Sequence, residues 1–204
     1  MAALALKSFL TLLFVIDPVG LVPVFLSLAG SRPPADQQRI ARKAVLVSAG
    51  LIAAFGLGGD WLLRHLSISL DAFRVAGGIL LFLIAVEMVL ARHERETAEE
   101  AAEARSRSDI SVFPLAIPMI SGPGTLASVM ILVAESRVVD FGILIVLATG
   151  GAVLLLCVLA LELATPIGRL LGQTGVNVVT RVLGVLLAAL AVQYVADGVR
   201  GLLR

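Results

Sequence analysis

Apolar residues along this chain come in long blocks, near 8–28, 44–63, 73–91, 112–134, 141–163 and 182–199, with polar and charged residues gathered between them. Blocks of roughly 18 to 22 residues match the length of helix that crosses about 30 Å of hydrocarbon. The pattern therefore predicts six transmembrane helices. Lipid offers no partner to a bare N–H or C=O, so continuous apolar runs read as helices; the strands of a membrane barrel would alternate. The one long polar segment, 92–110, is rich in Glu, Arg and Ala and reads as a solvated linker. Lys7 ahead of an apolar stretch, with Ser27-Leu28-Ala29 behind it, has the outline of a secretion signal. Asp17-Pro18 interrupts that outline, and the segment reads instead as a retained first span.

Composition agrees: 59% of residues are hydrophobic, 15% are charged and the mean hydropathy is +1.02. These values describe an all-α polytopic membrane protein rather than a soluble domain. Net charge is only +1, and the basic residues stand singly or in small groups, so no stripe exists to track a phosphate backbone and nucleic acid is not an expected partner. The single cysteine, Cys157, lies within VLLLCVLAL, where it reads as a small core residue with no intrachain disulfide or metal pair to form. No cofactor or metal is expected. Lys and Arg divide six to ten between the two sides of the predicted spans, the richer side carrying Arg32, Arg39, Arg42, Lys43, Arg92, Arg95, Arg105, Arg107, Arg169 and Arg181. The positive-inside rule places that side in the cytoplasm and both termini outside.

The chain resembles itself at half length. FRVAGGILLF (73–82) aligns with TRVLGVLLAA (180–189) at a shift of 107, matching Arg74 with Arg181 and Gly77 with Gly184. DPVG (17–20) matches SGPG (121–124) more loosely, with Gly20 on Gly124. Residues 1–91 and 111–204 thus read as two repeats of three helices each. An odd number of spans makes the second copy enter from the opposite side, the inverted-topology arrangement common in secondary transporters.

The matched breaks carry the candidate chemistry. Asp is a preferred N-cap and Pro a favoured first helical residue, so Asp17-Pro18 reads as the start of a second helix inside span one. In span four, Ser121 or Gly122 can cap a helix beginning at Pro123. Gly20, Gly122 and Gly124 let the backbone open or another group approach closely. A helix that starts at mid-membrane aims unpaired N–H groups and the positive end of its dipole inward, a ready site for an anion. Asp17 would cost about 2.5 to 3.5 kcal/mol against lipid and should face inward, capping its own half-helix, binding an ammonium or taking a proton. Ser121 and Thr125 supply hydroxyls. Helix N-termini joined to a carboxylate suit a zwitterion, although simple proline kinks satisfied by neighbouring helices are the plainer alternative.

Other polar positions are weaker signals. Arg74 and Arg181 can snorkel, or pair with Asp71, Asp17 or helix carbonyls. Gln193 and Tyr194 can bond between helices, while Gly56, Gly58, Gly59, Gly77, Gly78, Gly150 and Gly151 suit close helix packing. His65 and His93 have no metal partners at useful spacing.

The segments DPVGLVPVFLSLAG, ISLDAFRVAGGILLF, PLAIPMISGPGTLASV and TRVLGVLLAALAVQYVADGV resemble the MarC family of bacterial inner-membrane proteins, also described as small neutral amino acid transporters. The resemblance runs over nearly the whole chain, and PLAIP followed by GPGT is its most specific part. It implies transport of amino acids such as glycine and alanine. Carried onto this sequence, the substrate-binding positions are Asp17, Pro18, Gly20 and Pro23 in the first span and Ser121, Gly122, Pro123, Gly124 and Thr125 in the fourth. Two departures alter site polarity: Leu21 stands where the family often has a polar residue, and Ser121 where alanine is usual. The expected function is a secondary transporter, with proton or sodium coupling through Asp17 as an added expectation. A non-transporting scaffold or a channel is the rival reading. An intramembrane enzyme is disfavoured, because the spans hold neither a paired catalytic carboxylate nor a Ser/His arrangement.

Overall fold

The apolar blocks are helical in the computed structural model, which describes residues 1–90 and 109–203. Nearly all of the polar linker lies outside the described residues, as do Arg92, His93, Arg95, Arg105, Arg107 and Arg204. In chain order the elements are α1 (Ala2–Ile16), α2 (Leu21–Ala29), α3 (Pro34–His65), α4 (Leu70–Leu90), α5 (Ser111–Ile120), α6 (Pro123–Ser136), α7 (Gly142–Glu162) and α8 (Ala164–Leu202). Among the described residues no strand occurs. Helices α3, α4, α7 and α8 are each long and apolar enough to span a bilayer; α1 with α2, and α5 with α6, qualify only as pairs bent by 43° and 55°.

Two helices are longer than the apolar blocks suggested. α3 starts at Pro34 rather than near 44, because Pro34 is preset for the first helical position and the ten polar-rich residues that follow are mostly good helix formers. Its 32 residues reach about 48 Å, so its first turns stand clear of the hydrocarbon. α8 begins directly after Leu163, where a loop was expected, and runs 39 residues with one interruption at Gly172, whose φ of 58° is open to glycine without a steric penalty.

α5 is irregular. Leu115 and Ser121 donate backbone bonds five residues back, to Ile110 and Ala116, and Phe113 and Ile117 are extended, each before a cis-proline. The residue before proline is pushed out of the helical region, which is why PLAIP does not continue as a regular helix. Its N-terminal end is held by Asp109, which accepts from the Ser111 amide at 3.0 Å and from the Ser111 hydroxyl and pairs with Lys43 of α3 at 2.5 Å. Lys43 first, and Ser111 second, hold the Asp109 carboxyl down at about 2, so this exposed pair persists into acid.

The bundle is turned outward in the manner of a protein dissolved in lipid. Leu57, Trp61, Ile79, Leu83, Leu144, Leu155, Val182 and Val185 are exposed along the helices, while the buried set includes Ser8, Thr11, Asp17, Ser48, Ser121, Thr125 and Ser128. α4 and α8 lie antiparallel with backbones nearly touching. A Cβ on Gly78 would stand 2.8 Å from the Ala191 carbonyl, one on Gly198 2.6 Å from the Asp71 carbonyl, and one on Gly184 2.9 Å from Met88 Cβ. Small residues at such crossings let dispersion and packing replace the hydrophobic drive that lipid removes. Gly56, Gly59, Gly77 and Gly150 also meet neighbouring helices; Gly58 and Gly151 meet nothing within 4 Å and do not serve packing.

Ion pairs gather at the two ends of the bundle. At one end Glu135 of α6 takes Lys7 of α1 at 2.6 Å and Arg74 of α4 at 3.5 Å, Arg74 also holds Asp71, and Asp60 joins Arg64 to Arg137. At the other, Arg42 of α3 meets Glu162 of α7 at 2.6 Å. Arg74 is therefore paired near its own helix start, and not with Asp17, while Arg181 is exposed. Gln193 bonds Asp197 on its own helix rather than a neighbouring one.

Replacing Gly78 by Leu should destabilise the protein by about 1–3 kcal/mol, because backbone rather than a flexible side chain blocks the space. Gly58→Leu, into open space, should stay within about 0.5 kcal/mol. Thermal unfolding of the detergent-solubilised variants compares the two.

Candidate functional site

The first break is built by Asp17. It closes α1 in a left-handed conformation (φ 43°, ψ 69°) that Asp tolerates better than most residues, with its N–H on the Leu13 carbonyl at 3.0 Å. Its carboxylate then turns to the next helix: Oδ1 accepts the Gly20 N–H at 3.0 Å, and its backbone carbonyl accepts the Leu21 N–H at 3.1 Å. Asp17 thus ends one helix and starts the other. Regular helix resumes at Leu21 and not at Pro18, since Pro18 to Gly20 form a turn. Gly20 has no alternative here; a Cβ would lie 2.2 Å from Asp17 Oδ2 and 2.9 Å from Thr180 Oγ1.

Asp17 is only 8% exposed, and its Oδ2 accepts a hydrogen bond from the Thr180 hydroxyl of α8 at 2.8 Å. Sequence reasoning missed Thr180. The available signal was a hydroxyl immediately before Arg181, one of the matched positions of the half-length similarity, where the first half has Phe73.

The second break is open where the first is closed. Ser121 leaves the helical region (φ −106°, ψ 51°), Gly122 is extended (ψ 172°) as a residue before proline must be, and Pro123 takes the first position of α6. Gly122, and not Ser121, is the cap, and α6 receives no side-chain cap bond. The Ser121 side chain is 3% exposed and its hydroxyl has no hydrogen-bond partner. Thr125 turns its hydroxyl back to the Ile120 carbonyl at 3.0 Å, tying the two sides of the break.

The last turn of α1 meets the first turn of α6. A Cβ on Gly124, in the first turn of α6, would stand 2.5 Å from Ile84 Cδ1, 3.2 Å from Leu81 Cδ2 and 3.5 Å from Val15 Cγ1, and Val15 is two residues before Asp17. Pro18 is buried beside Asp17, whereas Pro23 faces an open pocket between α2 and α8 and Pro123 is exposed. Of the residues named from sequence, the structure therefore clusters Asp17, Pro18 and Gly20 at one break and Ser121, Gly122, Gly124 and Thr125 at the other. Pro23 and Pro123 stand at the margins. Among the described residues no group of His, Cys, Asp or Glu could hold a metal ion.

Comparison with known proteins agrees with this architecture. The family model described as MarC family integral membrane protein matches residues 2–203. The UPF0056 membrane protein MJ1677 of Methanocaldococcus jannaschii is 36% identical over 197 residues, covering 96% of this chain and 96% of its own. A UPF0056 membrane protein of Aquifex aeolicus is 36% identical, covering 98% of this chain and 94% of its own, and YhcE of Escherichia coli is 33% identical, covering 96% and 92%. These names state a membrane protein and no substrate. No solved structure matches the chain.

Gly20→Ala must push the Asp17 carboxylate away from both its donors, so it should cost about 1–3 kcal/mol of stability. Thr180→Val keeps the shape and removes one donor to the carboxylate, and its cost should be about 1.5–3 kcal/mol. Thermal unfolding in detergent measures both.

Proposed function

This chain belongs to the MarC family of integral membrane proteins, and we propose that it is a secondary transporter of small neutral amino acids such as glycine and alanine, working by alternating access around its two broken helices. The observation that carries the reading is the unequal finish of the two half-helix starts. Neither helix has a side-chain cap, but ahead of α2 the Asp17 carboxylate holds the Gly20 N–H and the Asp17 and Val19 carbonyls hold those of Leu21 and Val22, while α6 opens beside the buried, unpartnered Ser121 hydroxyl. First-turn N–H groups inside a membrane favour a carboxylate. Asp17, which accepts from Gly20 and Thr180, is the buried carboxylate suited to a substrate ammonium group. A zwitterion satisfies both ends.

The helix pairing supports a repeat of two inverted halves. α1 packs on α7 as α5 packs on α3, and α2 packs on α8 as α6 packs on α4, so these contacts exchange with the halves, while the broad α3–α6 contact is matched only narrowly by α2–α7. In this reading the bent pairs are single spans and the spans number six. The halves, 1–91 and 111–204, rock against each other about the site. Asp17 is also the group to carry a coupling proton or sodium ion, competing with the substrate ammonium. The protein resides in the bacterial inner membrane, with its arginine-rich end in the cytoplasm and both termini outside.

Glycine and alanine should bind the purified protein in calorimetry and cross vesicles that contain it. Asp17→Asn should lower flux at least about tenfold, with membrane insertion and yield retained. Absence of binding across a range of pH and sodium concentration would rule out these substrates, and full flux in Asp17→Asn would remove that carboxylate from the mechanism.

A further inference from the structure

An open pocket of about 370 Å³ runs along the seam between α2 and the first part of α8. Its size is that of a small-ligand pocket, and it is no part of the Asp17 cluster itself. Val22 and Pro23 line it from α2, and Arg169, Gln173 and Val176 from α8. These residues form a gradient. Arg169 and Gln173 are exposed, whereas Val22 and Val176 are buried. Val176 precedes Thr180 by one helical turn, and Val22 follows Gly20 by two residues, so the floor of the pocket is the back of the Asp17–Thr180–Gly20 cluster. The α8 interruption at Gly172 lies on this seam, and an added Cβ there would meet nothing within 4 Å.

The pocket lies toward the end of the bundle where α2 finishes and α8 begins, beside the Arg42–Glu162 pair. At the opposite end, Glu135 ties α1 to α4 through Lys7 and Arg74, and Tyr194 fills the space beneath Lys7, whose Nζ stands 5.5 Å from its ring. Both ends carry ion pairs and an open hollow, the one at the Glu135 end lined by Ser136, Arg137 and Phe141; the α2–α8 seam differs in running toward Val176, one turn from Thr180. Arg169 gives the seam a guanidinium, the group best suited to hold a carboxylate in two hydrogen bonds.

We propose that this seam is the path by which substrate reaches Asp17, with Arg169 receiving the amino acid's carboxylate at the mouth and Val22 and Val176 forming the inner barrier. The path rests on the transporter reading above. It describes a conformation open toward the α2 end, and it makes Arg169 a binding residue outside the two breaks.

The test uses reconstituted protein carrying Gln173→Cys, in which the native Cys157 is fully buried and silent. A charged, membrane-impermeant methanethiosulfonate should modify Cys at 173 from one side of the vesicle only. Excess glycine or alanine should slow that modification, and the modified protein should lose flux about tenfold or more. Val176→Trp should fill the floor with the same loss. Arg169→Ala should raise the KM for alanine about tenfold with the maximal rate retained, and Arg169→Lys should recover part of it. A thiol at 173 that reacts only with lipid-soluble maleimide means a groove filled by lipid and overturns the path, as does parental flux after modification or in Val176→Trp. Because modification follows folding, its effect stands even if the tryptophan variant fails to fold. Flux in the parent that thiol addition leaves untouched overturns the path alone; no flux in the parent overturns the transporter reading and the path with it.

Discussion

A helix broken inside a bilayer must find partners for its freed backbone groups within the protein, because hydrocarbon supplies none. The rest of this structure depends on how that demand is met at Asp17. One residue closes α1 with its backbone N–H, holds the start of α2 with its carboxylate and backbone carbonyl, and accepts the Thr180 hydroxyl of α8, so three elements meet at a single aspartate. The same demand at the second break is met only in part. Thr125 returns to Ile120 and Ser121 donates its amide to Ala116, but the first turn of α6 carries no side-chain cap. The proposed site rests on this asymmetry, since an unanswered helix start favours an anion.

Stability and opening are divided between different elements. α4 and α8 approach through Gly78, Gly184 and Gly198 so closely that neither can slide without a backbone clash. The bent pairs are joined to the bundle by side-chain packing, single hydrogen bonds and ion pairs at their ends. The α4–α8 contact joins the two halves, so in the proposed alternating access it is the pivot, with motion concentrated in the jointed pairs, where contacts are cheapest to exchange.

Much of this was legible in the residues. The apolar blocks gave the helices, and Asp17-Pro18 and Gly122-Pro123 marked both interruptions through capping and proline chemistry that act within three or four residues. What lay beyond such local rules was not legible. The αL turn that delays α2 to Leu21, the pairing of Asp17 with Thr180, 163 residues away, and the capture of Arg74 by Glu135 all depend on how helices meet. The extent of α3 and α8 was hidden for another reason. Hydropathy reports where helix is buried in lipid, whereas helix propensity continues through Gln37, Gln38, Arg39 and Arg42 into water. Gly172 reads in sequence as one glycine among many; only its positive φ distinguishes it.

The cross-bundle ion pairs also bear on how the protein is made. Lys7–Glu135, Arg74–Glu135, Arg137–Asp60, Arg42–Glu162 and Lys43–Asp109 each join a residue from the earlier part of the chain to one translated later. α1, α3 and α4 likewise find their main neighbours in α7, α6 and α8. The segments that leave the ribosome first therefore enter the bilayer with glycine-lined faces and charged ends unmatched. They acquire their final company as α5 to α8 arrive, so two interleaved parts close late in synthesis.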